Sequence, residues 1–235
     1  MLYQAYQFQS DLTSPLRMMS HIASSVIGMA GHSAAPLRRI SAALDVYSRM
    51  RLTHSRPDYD IASIEAADET IAVEELTSLH LPFGRLLHFK KALGSELENQ
   101  PKVLLVAPLS GHFATLLRET VRTLLQDHDV YITDWHNARD VPLSQGEFGL
   151  DDYIDHLMRF LEVIGPGTHV VAVCQPCVAA LAATALMAED DHACQPQSLT
   201  LMAGPVDCRV NPTGVNALAT SKPIEWFEQN LISHV

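Results

Sequence analysis

The chain has 235 residues and a formal net charge of −11, from 16 Lys and Arg against 27 Asp and Glu. Hydrophobic residues make up 47% and charged residues 18%, a globular balance that excludes a disordered, collagenous or coiled-coil chain. The acidic charge argues against a broad basic surface, so nucleic acid is not an expected partner. The length fits one large domain or a domain with an appendage.

Charge and pattern divide the chain near residue 60. The first 60 residues carry six Arg and four acidic residues, a net charge of +2, which leaves −13 for the remainder. Apolar residues recur every three to four positions from Leu16 to Met50, which predicts helices. We therefore expect an N-terminal helical segment over residues 1–60 and a second domain over 61–235. The helices either dock on that domain or form an apolar surface for a hydrophobic partner or particle.

Two further patterns bear on location. The first twelve residues, MLYQAYQFQSDL, lack a basic cluster before an apolar run and do not resemble a secretory signal, so a cytoplasmic protein is expected. Residues 170–188 are apolar enough to suggest a membrane span, but Gln175-Pro176 interrupts them after five residues. A strand, a sharp turn and a buried helix explain this stretch better, so no transmembrane segment is expected.

Strands alternate with helices over most of the second domain. Residues 61–90 are predicted to be rich in strands, with a turn at Pro82 and Gly84. Beyond them, strands are predicted at 103–107, 130–133, 170–173 and 199–203, and helices at 113–125, 150–164 and 176–187. This alternation predicts an α/β fold with a mostly parallel sheet and helices on both of its faces.

Cys174 is the candidate nucleophile. It follows an apolar strand directly and precedes a helix expected to begin at Pro176, where a fixed φ and a missing N–H are tolerated. A strand, a strained turn and a helix form a nucleophile elbow, with Ala172 and Pro176 at the usual glycine positions of G-x-S-x-G. Ala172 is suitably small, whereas Pro176 departs from the pattern. A thiolate is favoured here because a helix N-terminus carries partial positive charge.

Stabilisation of a developing oxyanion needs two donors. One is expected to be the backbone N–H of Gln175, and the other to come from the loop Leu109-Ser110-Gly111-His112 after the strand at 103–107, with Ser110, Gly111 and His112 as the candidate residues. Gly111 permits the close backbone approach that such a donor requires.

Other interpretations of the cysteines remain open. A Cys in an apolar run is commonly a small buried hydrophobe. Cys174 and Cys177 also form a C-x-x-C pair, which zinc and redox sites use, but Cys194 and Cys208 offer no second pair at ligand spacing. We therefore expect free thiols and no metal.

Several blocks of the sequence point to one family. They are VLLVAPLSGHFATLLR at 103–118, DHDVYITDW at 127–135, DDY at 151–153, VCQPC at 173–177, SLTLMAGPVD at 198–207, and MLYQAYQFQ with TSPLR near the start. Together they resemble the intracellular polyhydroxyalkanoate (polyhydroxybutyrate) depolymerases. The resemblance implies an α/β-hydrolase-like fold in which Cys174 replaces the usual serine.

The same resemblance implies an activity. Such enzymes cleave ester bonds of stored polyhydroxybutyrate through a covalent thioester, which water or in some members coenzyme A resolves, with no cofactor or metal. The expected partner is the cytoplasmic storage granule. Family members are longer and carry their triad acid and histidine downstream of the nucleophile, whereas this chain ends at Val235. We therefore expect a truncated domain with impaired activity, whose exposed sheet edge could pair with another copy.

Substitutes for the missing triad members are few. Asp207 follows a predicted strand and is a possible acid, although it equally suits a turn. His234 lies beyond it, and His112, His136 and His169 precede Cys174. Two other functions stay open: a polyhydroxyalkanoate synthase, whose box carries glycines that Gln175-Pro176-Cys177 lacks, and a non-catalytic protein that associates with the granule.

Overall fold

Residues 2–29, 35–50, 56–66, 69–92, 100–109 and 111–231 are described by the computed structural model. Two units divide the chain: Met1–Ser55 together with Asn211–Val235, and Arg56–Val210. None of the helices in the described ranges is long and apolar enough to cross a membrane. The predicted domain division after residue 60 stays a prediction.

The first unit is helical. It contains helices α1 (Leu2–Met29) and α2 (Ala35–Arg49), with α6 (Gly214–Ser221) and α7 (Ile224–Asn230) from the end of the chain. Helices α1 and α2 pack together, and the Ser41 hydroxyl of α2 donates to the Ser24 carbonyl of α1 at 3.1 Å.

Helix α1 begins well before the Leu16 start that the sequence predicted. Pro15 lies inside it, although proline lacks the N–H that an interior position normally donates. Side chains provide extra bonds to the backbone of this turn, because the Thr13 hydroxyl donates to the Gln9 carbonyl at 2.8 Å and Arg17 donates to the Ser10 carbonyl. The helix continues through the proline.

The second unit is built on one seven-stranded sheet. Its strands are β1 (Ser63–Ala66), β2 (Glu69–Leu81), β3 (Gly84–Lys91), β4 (Lys102–Val106), β5 (Asp129–Trp135), β6 (His169–Val173) and β7 (Ser198–Met202). They lie in the order β1-β2-β3-β5-β4-β6-β7. The pairs β5-β4, β4-β6 and β6-β7 are parallel, and the pairs β1-β2, β2-β3 and β3-β5 are antiparallel. Strands β1 and β3 run against the others, so five of the seven strands run in one direction.

Helices cover both faces of this sheet. Strand β4 sends Leu105 to one face, where it packs with Val121 of α3 (Arg118–Leu124). The alternate residue Leu104 points to the other face, which is covered by α4 (Leu150–Ile164) and α5 (Cys177–Glu189). All three of these core side chains are fully buried. The alternation follows from the two-residue period of a strand.

Local chemistry shifts two predicted boundaries. The segment predicted as one helix over 113–125 begins with a 3-10 turn, Ala114–Leu117, before α3. No side chain caps Phe113, and the turn tightens so that Leu116 N–H donates to Phe113 O at 3.0 Å. Strand β5 extends to Trp135, which pairs with Gly84, where any Cβ would lie 2.8 Å from the indole Cε3.

The connections of the sheet define a crevice. The chain leaves β4 towards α3 on one face, and leaves the neighbouring parallel strand β6 towards α5 on the other. Ligands of open α/β sheets bind at the carboxyl edge where adjacent connections diverge in this way. An antiparallel β3 beside parallel strands whose order reverses once is the arrangement of the α/β-hydrolase fold, so the predicted fold class is confirmed.

Candidate active site

Cys174 occupies the turn between β6 and α5. Its φ is +69°, a left-handed conformation that is rare for residues other than glycine, and its side chain is exposed. A non-glycine residue held in this region stores about 1–3 kcal/mol of strain, which the surrounding structure must offset. The strand, the strained turn and the helix therefore form the elbow that the sequence predicted, with the sulfur at the carboxyl edge of the sheet.

Hydrogen bonds fix the backbone of the elbow. Cys174 N–H donates to the Met202 carbonyl at the end of β7 at 2.8 Å, and Cys177 N–H donates to the Cys174 carbonyl at 3.2 Å. Pro176 immediately precedes α5, one residue before the helix itself begins, and its carbonyl accepts from Ala180 N–H at 2.8 Å. The elbow is thus tied both to the neighbouring strand and to its own helix.

Close packing behind the elbow depends on Gly204. A Cβ at this position would lie 2.1 Å from Cys177 Cβ and 2.2 Å from Cys177 Sγ, so only glycine fits. Ala172 and Cys177 are fully buried beneath the turn. Gly204 was interpreted from the sequence only as part of a turn, because its contact with Cys177 joins segments that are distant in the chain.

The loop after β4 meets the elbow through one hydrogen bond. The backbone N–H of Leu109 donates to the side-chain oxygen Oε1 of Gln175 at 3.2 Å. The same loop contains Gly111, whose φ is +86°, and His112, whose side chain is exposed. Ser110 lies outside the described residues. Leu109 begins the loop from which the second oxyanion donor was expected, but its contact with the Gln175 side chain, 66 residues away, has no local sequence signal.

The donor set for an oxyanion can be described from this geometry. No described residue accepts a hydrogen bond from the backbone N–H of Gln175. Leu109 N–H is the donor of the neighbouring loop that already points towards the elbow. Assignment of the oxyanion role to Gln175, Ser110, Gly111 and His112 stays a prediction.

Histidines are engaged away from Cys174. His136 Nδ1–H donates to the Pro82 carbonyl at 3.0 Å, and His169 Nδ1 shares a hydrogen bond of 2.8 Å with the Ser198 hydroxyl. His234 lies outside the described residues. Within the described part of the chain, Cys174 Sγ has no hydrogen-bond partner, so no general base is in contact with it there.

Asp207, the possible acid, pairs with its own neighbour. Its two carboxylate oxygens accept from Arg209 Nε and Nη2, each at 2.9 Å, and Oδ1 also accepts from Arg209 N–H. The side-chain hydrogen bond from Arg209 lowers the pKa of this carboxyl, followed by the backbone bond from the same residue. The residue stands at the exposed surface, and its role in catalysis stays a prediction.

The other cysteines differ in burial. Cys177 is buried, Cys194 is half-buried and Cys208 is exposed, and all are free thiols. Burial raises the pKa of the Cys177 thiol, whose sulfur lies 3.3 Å from the Ala172 carbonyl. Cys177 is therefore a packing residue at the base of the elbow. No group of three metal-ligating side chains occurs among the described residues.

An aromatic cluster supports the strand next to the site. Trp135 Nε1–H donates to the Ala107 carbonyl at 3.0 Å, and its ring meets Tyr153 edge-to-face with 4.7 Å between centroids. His156, from α4, completes this cluster with Phe148 at 5.1 Å. Burial lowers the pKa of His156, and its Nε2 has no partner among the described residues.

Comparison with known proteins gives one match to a family model. Residues 203–235 match the model described as the C-terminus of polyhydroxybutyrate (PHB) depolymerase. This confirms the predicted resemblance to the polyhydroxybutyrate depolymerases. No curated protein sequence matches the chain.

Solved structures of esterases and lipases are similar to the chain. A candidate lipase from Acinetobacter baumannii is 18% identical over 63% of this chain and 47% of its own, with a TM-score of 0.45. An esterase from Pyrobaculum calidifontis is 15% identical over 67% of this chain and 55% of its own, with a TM-score of 0.44. The chain thus spans about half the length of these proteins.

Proposed function

We propose that the protein cleaves ester bonds through a covalent thioester on Cys174. The observation that carries this proposal is the conformation of Cys174, an exposed thiol held at a φ of +69° where β6 turns into α5. Backbone strain of this kind is retained where the surrounding structure enforces it, and it is characteristic of catalytic turns. A buried thiol that served packing alone would need neither the exposure nor the strain.

The chemistry follows from the surroundings of the sulfur. Cys174 Sγ attacks the ester carbonyl carbon, the carbon–sulfur bond forms, and the alcohol leaves with a proton as the carbon–oxygen bond breaks. Water then adds to the thioester, releases the acid and restores the thiol. The backbone N–H groups of Gln175 and Leu109 are the proposed donors to the oxyanion of each step, and the contact of Leu109 N–H with the Gln175 side chain supports this.

Polyhydroxybutyrate, or a related polyhydroxyalkanoate, is the proposed substrate class. The family match at residues 203–235 supports it. Exposed apolar side chains on α1, among them Phe8, Leu12 and Met19, suit contact with a hydrophobic granule surface in the cytoplasm. Coenzyme A is an alternative acceptor to water for the acyl group, because a thioester exchanges readily with a second thiol.

The test combines a soluble activated ester with the polymer. We expect the p-nitrophenyl ester of 3-hydroxybutyrate to acylate Cys174, detected by mass spectrometry of the cysteine peptides, and amorphous granules to release 3-hydroxybutyrate. Cys174→Ala should abolish both signals. Cys208→Ala removes the other exposed thiol and should leave both unchanged, which makes it the matched control.

Since no described histidine contacts Cys174, we expect acylation to outpace deacylation, so that the acyl-enzyme accumulates. Acylation that persists in Cys174→Ala would contradict the proposal. Sedimentation of the protein with granules, without acylation or release, would instead indicate a binding protein, and polymer growth from 3-hydroxybutyryl-coenzyme A would indicate a synthase.

A further inference from the structure

We propose that the Gln175 side chain occupies the oxyanion position in the ester-free protein and competes with the substrate carbonyl for the Leu109 N–H. This inference rests on the proposed function, since it concerns the site at which Cys174 would attack an ester. It makes the Gln175 side chain a competitor of the substrate and the Gln175 backbone N–H an oxyanion donor.

The first step concerns where Leu109 and Gln175 lie relative to the sheet. Strands β4 and β6 are parallel neighbours, and the register aligns Val106 with Ala172. Leu109 and Gln175 therefore each lie three residues beyond an aligned pair, on the two sides of the crevice where the connections diverge. These are the positions from which an α/β-hydrolase supplies its two oxyanion donors. One donor is the residue after the nucleophile, and the other lies in the loop after the neighbouring strand, here β4.

The second step concerns which atom fills the crevice. Leu109 N–H donates to Gln175 Oε1 at 3.2 Å. An amide oxygen and an ester carbonyl oxygen are both sp² acceptors, so both satisfy the same N–H in the same direction. The carboxamide thus stands in for the substrate oxygen. The Gln175 backbone N–H, without an acceptor among the described residues, is the donor still free.

The third step concerns movement. The side chain of Gln175 is exposed, so its carboxamide can turn into water, which satisfies its polar atoms, without disturbing the core. The backbone N–H of Gln175 is fixed by the elbow and does not move with it. An arriving ester therefore has to displace only the Leu109–Gln175 hydrogen bond, and the elbow keeps its shape.

The expected magnitude follows from the hydrogen bond that is displaced. A typical hydrogen bond of this kind corresponds to roughly a two- to tenfold change in an equilibrium or rate. Removal of the competing oxygen should therefore raise the rate constant of Cys174 acylation by about two- to tenfold. Gln175→Met removes the oxygen at nearly constant size, and Gln175→Ala removes the whole carboxamide.

The experiment measures acylation of the full chain by the p-nitrophenyl ester of 3-hydroxybutyrate, together with hydrogen exchange of the Leu109 amide. Both Gln175 variants should be acylated faster than the parent protein. In the absence of ester, the amide hydrogen of Leu109 should exchange with solvent faster in the variants than in the parent protein. Gln197→Met is the matched control, because Gln197 is exposed beside the start of β7, at the opposite edge of the sheet. It should change neither quantity.

The outcomes separate the two proposals. Acylation of the parent protein with an equal or slower rate in both Gln175 variants would overturn this inference alone, and would show that the carboxamide braces the loop. Unchanged Leu109 exchange in Gln175→Met would overturn it as well. Absence of Cys174 acylation in the parent and in every variant would overturn the proposed function, and this inference with it.

Discussion

At the scale of single residues, the turn that holds Cys174 follows from a local sequence pattern. The strand-turn-helix pattern around Ala172 and Pro176 is local, and the structure places Cys174 in the turn that this pattern predicts. The contact between Leu109 and Gln175 depends on the parallel pairing of β4 with β6, which no local pattern encodes. The expected parallel sheet therefore predicted which loop meets the elbow, whereas the individual contact of Leu109 with the Gln175 side chain could not be predicted.

His156 provides a pH-dependent prediction. Burial lowers its pKa, and this outweighs the backbone hydrogen bond to Asp152 and the nearby Asp155, which favour the charged form. As pH falls through the ordinary histidine range, the unfolded chain takes up a proton that the folded protein refuses, so the free energy of unfolding decreases. His156→Phe should lose less stability between pH 8 and pH 5, measured by urea unfolding. Equal losses in the two proteins would contradict this assignment.

At the scale of elements, the sheet and its covering helices follow the sequence closely. Helix α4 has the predicted bounds, because Gly149 and Gly165 flank an uninterrupted apolar face. Helix α1 was predicted too short, since Pro15 normally marks a helix start, whereas here the helix continues through it. The carboxyl ends of β4, β5 and β6 then place the elbow and its loop side by side.

The close contact between Gly204 and Cys177 predicts how a substitution at Gly204 changes the free energy of unfolding. Gly204→Ala should force Cys177 and the start of α5 away from the end of β7, because the new Cβ would overlap the thiol. Overpacking of this kind destabilises by about 1–3 kcal/mol, which urea unfolding can measure. Gly214→Ala is the control, since a Cβ there meets nothing within 4 Å. Parent-like stability of Gly204→Ala would show that the elbow can relax.

At the scale of the whole molecule, apolar surface is unevenly distributed. Helix α1 exposes a long series of large apolar side chains to solvent: Tyr6, Phe8, Leu12, Leu16, Met18, Met19, Ile22, Val26 and Met29. The sequence predicted the recurrence of these residues but left open whether they are covered. Docking on the second domain and contact with a hydrophobic partner or particle both stay predictions.

Granule binding tests this surface. The double variant Ile22→Glu and Val26→Glu should sediment at least about a hundredfold more weakly with polyhydroxybutyrate granules, because burial of each apolar side chain contributes about 1.5–3 kcal/mol. Its Cys174 acylation by the soluble ester should remain. Ser25→Glu adds a charge at an exposed polar position of the same helix and serves as control. Equal sedimentation of the parent protein and the double variant would exclude α1 as the contact surface.

The left-handed backbone at Cys174 does not depend on the sulfur atom that it presents. Its conformation is held by main-chain bonds to Met202 and Cys177 and by the close approach of Gly204, and the sulfur atom takes part in none of these contacts. Oxygen or selenium could thus replace sulfur, as serine or selenocysteine, without reshaping the turn. Reactivity measured across such a series would report the intrinsic nucleophilicity of each atom on an unchanged scaffold.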